Sequence, residues 1–313
     1  MPDLDVFVTG GIGVDHIVKV PSLPVLVADS VMTPPIQTVV GHAGNGVAMG
    51  CAALGLATAI CDVIGDDPEG DLIRRHCTEA GVGLKVATDP SGTRRSVNLV
   101  APGGARTSLY DPRHPYDLLP DESLWRDGVA KARLTHVVIV NWARHALRQA
   151  VGLGRLTSTD LQDWDGLNPH HREFAELADI VFCSAANLAD PAATARGILS
   201  YGRARVVVVT DGANGSTAHP RGAAAFHVPA VTLPGRPPVD SNGAGDAYAA
   251  AFLARVLAGD SWARAAEAAS VAGAWAVGSA GTHTDLITAE ALASLSASEA
   301  VRRACGWDDG ADR

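Results

Sequence analysis

The sequence predicts an α/β fold with a mostly parallel central sheet, helices on both of its faces, and a small second β-sheet. Three observations carry this. Short β-branched runs alternate with helix-length patterns along most of the chain. The run RVVVVT at 205–210 is apolar in both registers, as a parallel strand buried on two faces requires. Two stretches, 16–40 and 93–110, are strand-like but leave no room for a crossover helix.

Taken in order, strands are expected at 6–8, 57–63, 137–140, 180–183 and 206–210. Helices are expected at 46–54, 70–80, 144–156 and 192–201, followed by an alanine-rich helical region over 247–276. Segment 16–40 is cut by Pro21, Pro24, Pro34 and Pro35, and 93–110 reads as two strands around the turn Pro102-Gly103-Gly104. Both are assigned to a small antiparallel sheet. The division is then 1–15, 41–92 and 111–305 for the main domain, 16–40 and 93–110 for the small sheet, and 306–313 for a flexible tail.

Composition narrows the function. The chain has 313 residues, 47% of them hydrophobic, enough for one large domain with an insert or for two domains. No apolar run approaches the ~18 residues of a membrane span. The opening MPDLDVFVTGG puts acids before a short apolar run, unlike a secretory signal, so the cytoplasm is the expected location. A net charge of −9 argues against a general nucleic-acid binder. Cys51, Cys61, Cys77, Cys183 and Cys305 are odd in number, widely spaced and without a C-x-x-C pair, so free thiols are expected. Only three of the 25 basic residues are lysines, so a phosphate would be met by arginine or by backbone amides.

Glycine clusters locate the chemistry. A Walker-type G-x-x-x-x-G-K-[ST] loop does not occur. The stretch GGIGVDH at 10–16 follows a strand, but the third glycine of a dinucleotide fingerprint would fall at His16 and strand-like residues follow. That argues against a nucleotide-dependent oxidoreductase. The stretch VDSNGAGDAY at 239–248 precedes a long helical run. The first amides of a helix lack intrahelical acceptors and sit at the positive end of its dipole. Glycines let an anion approach those amides. An aspartate in that turn can take a proton from a hydroxyl attacking the anion. Alone, the stretch reads equally well as an ordinary glycine-rich cap.

It is not alone. The stretch D-S-N-G-A-G-D resembles the C-terminal signature of the PfkB/ribokinase family of carbohydrate and nucleoside kinases. V-G-H-A-G-N at 40–45, with the small-residue helix and L-G behind it, is similar to the family's N-terminal signature. T-D-G-A-N-G at 210–215 is similar to its nucleotide element, and residues 10–15 match its opening G-x-x-x-x-D. The matches keep one order from about residue 5 to residue 285. The resemblance implies a ribokinase-like three-layer α/β/α sandwich with a β-sheet lid formed by the two odd stretches. It implies an ATP-dependent kinase acting on a sugar or sugar-like hydroxyl with Mg²⁺, and it allows K⁺.

The roles carried over are these. Asp246 is the general base, and Gly243, Ala244 and Gly245 form the anion hole for the transferred phosphoryl. Asp15, Gly41 and Asn45 bind the acceptor, although Asn45 also suits a plain N-cap. His42 either touches the acceptor or points to solvent. Asn98 and Tyr110 lie on lid strands that cover the acceptor. Arg94, Arg95 and Arg106 are candidates for negative groups on the substrate. Thr210, Gly212 and Gly215 face the nucleotide. Asp240 and Ser279 are candidates for a monovalent cation.

The chain departs from the family at N-x-x-E, where Ser184 and Asn187 stand for the asparagine and the glutamate, leaving Mg²⁺ mainly to ATP phosphates and water. Asp160 is a candidate for the cleft, and the loop carrying Asp163, Asp165, His170 and His171 lacks metal-ligand spacing. Two alternatives stay open: a nucleoside kinase, because A-G-N resembles some bacterial adenosine kinases, and a catalytically silent ligand sensor. A homodimer joined through the lids is expected from their free strand edges.

Overall fold

The computed structural model describes residues 3–103 and 105–307. The main sheet has nine strands: β1 (Leu4–Thr9), β4 (Thr58–Ile64), β5 (Gly83–Thr88), β8 (Ala132–Val138), β9 (Leu156–Asp160), β10 (Ile180–Ser184), β11 (Val206–Thr210), β12 (Ser216–Pro220) and β13 (Phe226–Val228). Their order is β13-β12-β11-β10-β9-β8-β1-β4-β5. All neighbours pair parallel except β11 with β12 and β12 with β13. The second sheet holds β2 (Gly13–Lys19), β3 (Gln37–Gly41), β6 (Arg95–Val100) and β7 (Arg106–Asp111), in the order β3-β2-β6-β7.

Side chains alternate across each buried strand, and the two faces make two cores. On β11, Val206 and Val208 enter one core while Val207 and Val209 enter the other. On β1, Val6 and Val8 oppose Phe7 in the same way. The first core is covered by α1 (Ala43–Ala53), α2 (Pro68–Glu79), α7 (Ala244–Leu257), α8 (Trp262–Val277), α9 (Ala289–Ala297) and α10 (Glu299–Cys305). The second is covered by α3 (Arg126–Lys131), α4 (Ala143–Gly152), α5 (Pro169–Leu177) and α6 (Pro191–Tyr201). The helices α2, α5 and α6 each begin with proline behind a capping Asp67, Asn168 or Asp190 whose side chain accepts a first-turn N–H.

Five points differ from the sequence expectation. The helix expected at 144–156 stops at Gly152, because Gly154 turns into the left-handed region (φ 64°) and 156–160 becomes β9. The strand expected at 137–140 is the end of a longer strand that finishes at Val138. The small sheet is mixed, since β2 pairs parallel with β6 while β2 with β3 and β6 with β7 are antiparallel. Asp15 belongs to β2 of that sheet. Of the turn at 102–104, Gly104 lies outside the described residues, as does the expected tail from 308 onward. Trp307, placed with the tail by sequence, is 9% exposed and packs in the first core.

Among the described residues, no helix is long and apolar enough to cross a membrane. The five cysteines are free; Cys305 is half-buried and the other four are buried.

Candidate active site

The site sits on a seam between α1 and α7. A Cβ on Gly46 would fall 2.6 Å from the Cβ of Asp246, and one on Gly50 would fall 2.7 Å from the Cβ of Ala250. These pairs are one helical turn apart on both helices, so the two backbones approach along a glycine face. That approach is why a carboxylate on α7 can share a hydrogen-bonded network with Asn45 on α1.

The chain enters α7 through 239–243, and this turn is fastened to the loop after α8. Val239 N–H and Asp240 N–H both donate to Val277 O, at 2.6 and 3.1 Å. The Asp240 carboxylate accepts from Asn242 N at 2.9 Å and from Gly281 N at 3.2 Å. The Ser279 hydroxyl donates to Ala276 O at 3.2 Å. Gly243 caps α7 in the left-handed conformation (φ 77°), which a side chain would strain. Ala244, Gly245 and Asp246 form the first turn. The N–H groups of Gly245 and Asp246 have no acceptor among the described residues. A Cβ on Gly245 would meet nothing within 4 Å, so the side-chain position beside those donors is open. This is the geometry that receives an anion.

Asp246 Oδ2 accepts from His283 Nε2 at 2.8 Å. His283 was not found by sequence, yet its side chain is only 3% exposed and its φ is 57°. His283 Nδ1 lies 3.4 Å from Asn45 Nδ2, and Asn45 Oδ1 lies 3.1 Å from His76 Nε2. Asn45 Nδ2 also donates to Val40 O at 3.3 Å. Asn45 is therefore the third residue of α1, fully buried, while His42 holds the N-cap position. Burial pushes the His76 imidazole below its usual range, and the neighbouring His283 adds to this.

A second cluster faces the small sheet. Asp15 on β2 is buried, and its carboxylate lies 3.3 Å from His42 Nε2. Burial raises the Asp15 carboxyl, but the hydrogen bond and charge of His42 outweigh it and leave it below its ordinary range. His283 also contributes to lowering the Asp15 carboxyl, so Asp15 lies within electrostatic reach of the ring that meets Asp246. Gly41 is required here, because a Cβ would fall 2.1 Å from Asp15 Oδ2. His42 also lies 3.0 Å from Ser96 Oγ, and its ring centroid is 5.6 Å from that of Tyr110. His42 therefore points into the site, between β2 and β6. Tyr110 is 55% exposed on β7. Asn98, on β6 opposite Ser108, is buried and accepts from Ser108 Oγ at 2.6 Å.

The arginine candidates are engaged elsewhere. Arg94 is buried and donates to Asp62 Oδ2 at 2.6 Å, so it is a strut between β4 and the small sheet and is not free for a substrate anion. Arg95 pairs with Glu69 at 3.0 Å. Arg106, on β7, donates to Asn242 Oδ1 and ties that strand to the turn before α7.

The opposite end of the site gathers Thr210, Ser184 and Asn187. Ser184 and Thr210 are register partners on β10 and β11. Gly212 (φ 50°) and Gly215 (φ 92°) form the turn after β11, and a Cβ on Gly215 would fall 2.2 Å from Val228 O. Gly215 thus serves the turn's packing. The Asn187 amide donates to Asp163 O at 2.8 Å and to its carboxylate at 3.2 Å. Asp160, at the end of β9, has its carboxyl pushed up to about 6, mainly by burial, with the charges of Asp246 and Asp163 adding to the rise. Among the described residues, no group of three or more His, Cys, Asp or Glu is arranged to hold a metal ion. His170 instead reaches Ile139 O at 2.7 Å.

Comparison with known proteins places the chain in a family. Residues 3–289 match the family model for pfkB family carbohydrate kinases. The chain is 41% identical over 295 residues to the acarbose 7(IV)-phosphotransferase of Actinoplanes sp., covering 92% of this chain and 97% of that protein. It is 53% identical to the solved structure of a microbiome-derived acarbose kinase, with a TM-score of 0.91 over 94% of this chain and 99% of the other. The ribokinase of Arabidopsis thaliana, solved with ribose and ATP, shares the fold at 18% identity and a TM-score of 0.79, over 95% of this chain and 99% of that one.

Proposed function

Because the chain belongs to the PfkB family of carbohydrate kinases and is thus a phosphotransferase with an alcohol acceptor, we propose that it moves the γ-phosphoryl of ATP onto a hydroxyl of acarbose or a closely similar saccharide, with Asp246 as general base. The observation that supports this best is the first turn of α7. It presents two unengaged N–H groups beside an open side-chain position, with a carboxylate in the same turn. In phosphoryl transfer, positioning and charge stabilisation supply most of the rate, and this turn offers both. The acceptor is set by Asp15, Gly41, His42 and Asn45 under the small sheet, which acts as a lid through Asn98 and Tyr110 and excludes water from ATP. Acarbose stands ahead of nucleosides because two relatives, at 41% and 53% identity, are named for it.

ATP lies between the α7 turn and the Thr210–Gly215 element. Mg²⁺ would come with the ATP phosphates and water and would neutralise their charge, and the Asn187 amide would be this chain's contribution to holding it. K⁺ at Asp240 and Ser279 would brace the two loops that Asp240 already joins. The reaction belongs in the cytoplasm, where ATP is available.

The test is ADP release with ATP, Mg²⁺ and a panel of acarbose, simple sugars and nucleosides, repeated without Mg²⁺ and without K⁺. Acarbose is expected to turn over best, Mg²⁺ to be required, and K⁺ to accelerate the reaction. Asp246→Asn is expected to lose roughly 10²–10⁴-fold in kcat with ATP affinity unchanged. Preference for a nucleoside would replace the acceptor, and full activity of Asp246→Asn would remove the base. Tight acarbose binding without any turnover would make the chain a ligand sensor.

A further inference from the structure

We propose that His283 is a positioning residue for Asp246: its ring fixes one carboxylate oxygen and leaves the other to take the acceptor's proton. This rests on the assignment of Asp246 as base.

The first support is a slot shaped for the ring. A Cβ on Gly46 would fall 2.2 Å from His283 Nε2, and one on Gly243 would fall 2.8 Å from His283 Cδ2. Glycines on two different helices are thus both needed to admit one imidazole. One of them, Gly243, is also the residue whose left-handed turn opens the anion hole. The second support is the direction of the hydrogen bonds. Asn45 Nδ2 donates to Val40 O, which fixes the amide with its nitrogen toward His283. His283 Nδ1 must then accept, at 3.4 Å, so the proton of the neutral ring is on Nε2. Nε2 donates to Asp246 Oδ2 at 2.8 Å. Asn45 Oδ1 in turn takes the proton of His76 Nε2, at 3.1 Å. The chain runs in one sense from His76 to Asp246 and leaves each nitrogen one role. The third support is backbone strain. His283 holds φ 57°, a conformation disfavoured for any residue with a Cβ, and the ring's contacts at both ends sustain it.

Asp246 Oδ1 has no partner among the described residues. A carboxylate held through Oδ2 alone cannot rotate freely, so Oδ1 keeps a set direction toward the acceptor. Loss of that orientation is a loss in the chemical step, on the order of 10- to 100-fold.

The experiment compares wild type with His283→Gly and His283→Gln. Glycine removes the ring and relieves φ, so a folded variant is expected, with a thermal midpoint no lower than wild type. On acarbose its kcat is expected to fall about 10- to 100-fold with KM for ATP within about twofold. Glutamine can donate through its amide nitrogen and accept through its oxygen, and it is expected to restore most of kcat. Unchanged kcat in His283→Gly would overturn the proposal. So would a change confined to KM for acarbose, which would make His283 an acceptor contact. The ¹⁵N NMR shifts of the His283 ring in wild type give a readout independent of substrate. The Nε2–H neutral tautomer is expected, and the Nδ1–H tautomer overturns the proposal. A wild type that ignores acarbose while carrying the Nε2–H tautomer counts against the acceptor assignment and supports the positioning of Asp246.

Discussion

Arg94→Met gives a sharp test of how the small sheet is anchored. Arg94 and Asp62 meet at 2.6 Å with side chains 5% and 0% exposed. Asp62 Oδ2 also accepts from Ile12 N at 2.9 Å, and Oδ1 accepts from Val63 N at 2.7 Å. Methionine fills much of the space of the arginine stem but removes the countercharge. Asp62 would keep its two amide donors and remain a buried anion without a cation. Breaking a buried pair this way costs about 3–5 kcal/mol, whereas an exposed pair such as Arg303 with Glu299 is worth under about 1 kcal/mol. At roughly 2 °C per kcal/mol for a chain of this size, the thermal midpoint is expected to drop by about 6–10 °C. Denaturant or thermal unfolding of Arg94→Met, Asp62→Asn and the double variant measures it. The double variant is expected to be less destabilised than the sum of the singles, because it leaves no unpaired charge. A midpoint within about 2 °C of wild type, together with a large rise in KM for the acceptor, would refute the strut and return Arg94 to the substrate.

Two further outcomes follow from the geometry. The folded state raises the Asp160 carboxyl to about 6 from its ordinary value of 3.8. Its ionisation therefore costs stability above pH 6, the cost fades between 6 and 3.8, and none remains below. Asp160→Asn should raise the thermal midpoint at pH 7–8 and match wild type near pH 3.5; an equal gain at both pH values would contradict the shift. The outer strands of the small sheet, β3 and β7, leave free edges, and Leu109 on β7 is 56% exposed. If two copies join through these lids, light scattering will find a dimer that Leu109→Lys weakens; a monomer at micromolar concentration would end that expectation.

What the sequence revealed follows from what is local. The turn at 239–246 could be singled out because its glycines and aspartate lie within eight residues, yet alone it read equally well as a glycine-rich cap, and the order of the other motifs was needed to separate the two. The valine strand was legible because burial on both faces forces every position to be apolar. β9 was not legible: its Thr157, Ser158 and Thr159 are polar but fully buried. They are satisfied by Asp179, His136 and Val137 O, partners about twenty residues away. The helix before it was therefore extended through residues that belong to a turn and a strand. Arg94 was read as a candidate for a substrate anion because nothing near it in sequence reveals Asp62. His283 was invisible for the same reason, since its amide partner Asn45 stands 238 positions earlier. The parallel pairing of β2 with β6 likewise depends on where the main sheet releases each strand.

The glycine seam between α1 and α7 also governs when activity can first exist. β1, from the start of the chain, is an interior strand flanked by β4 and β8, so the sheet around it can assemble while the ribosome is still working. The half of the site on α1 is then built early and waits. Asp246 and His283 emerge nearly two hundred or more residues later and must dock against Gly46 and Gly50 before any phosphoryl transfer is possible. Nascent chains released short of α7 would carry the α1 side of the seam without Asp246. The seam would thus close late in synthesis, with α8 packing onto α7 after it, so the two sides of the site meet only once most of the chain has been made.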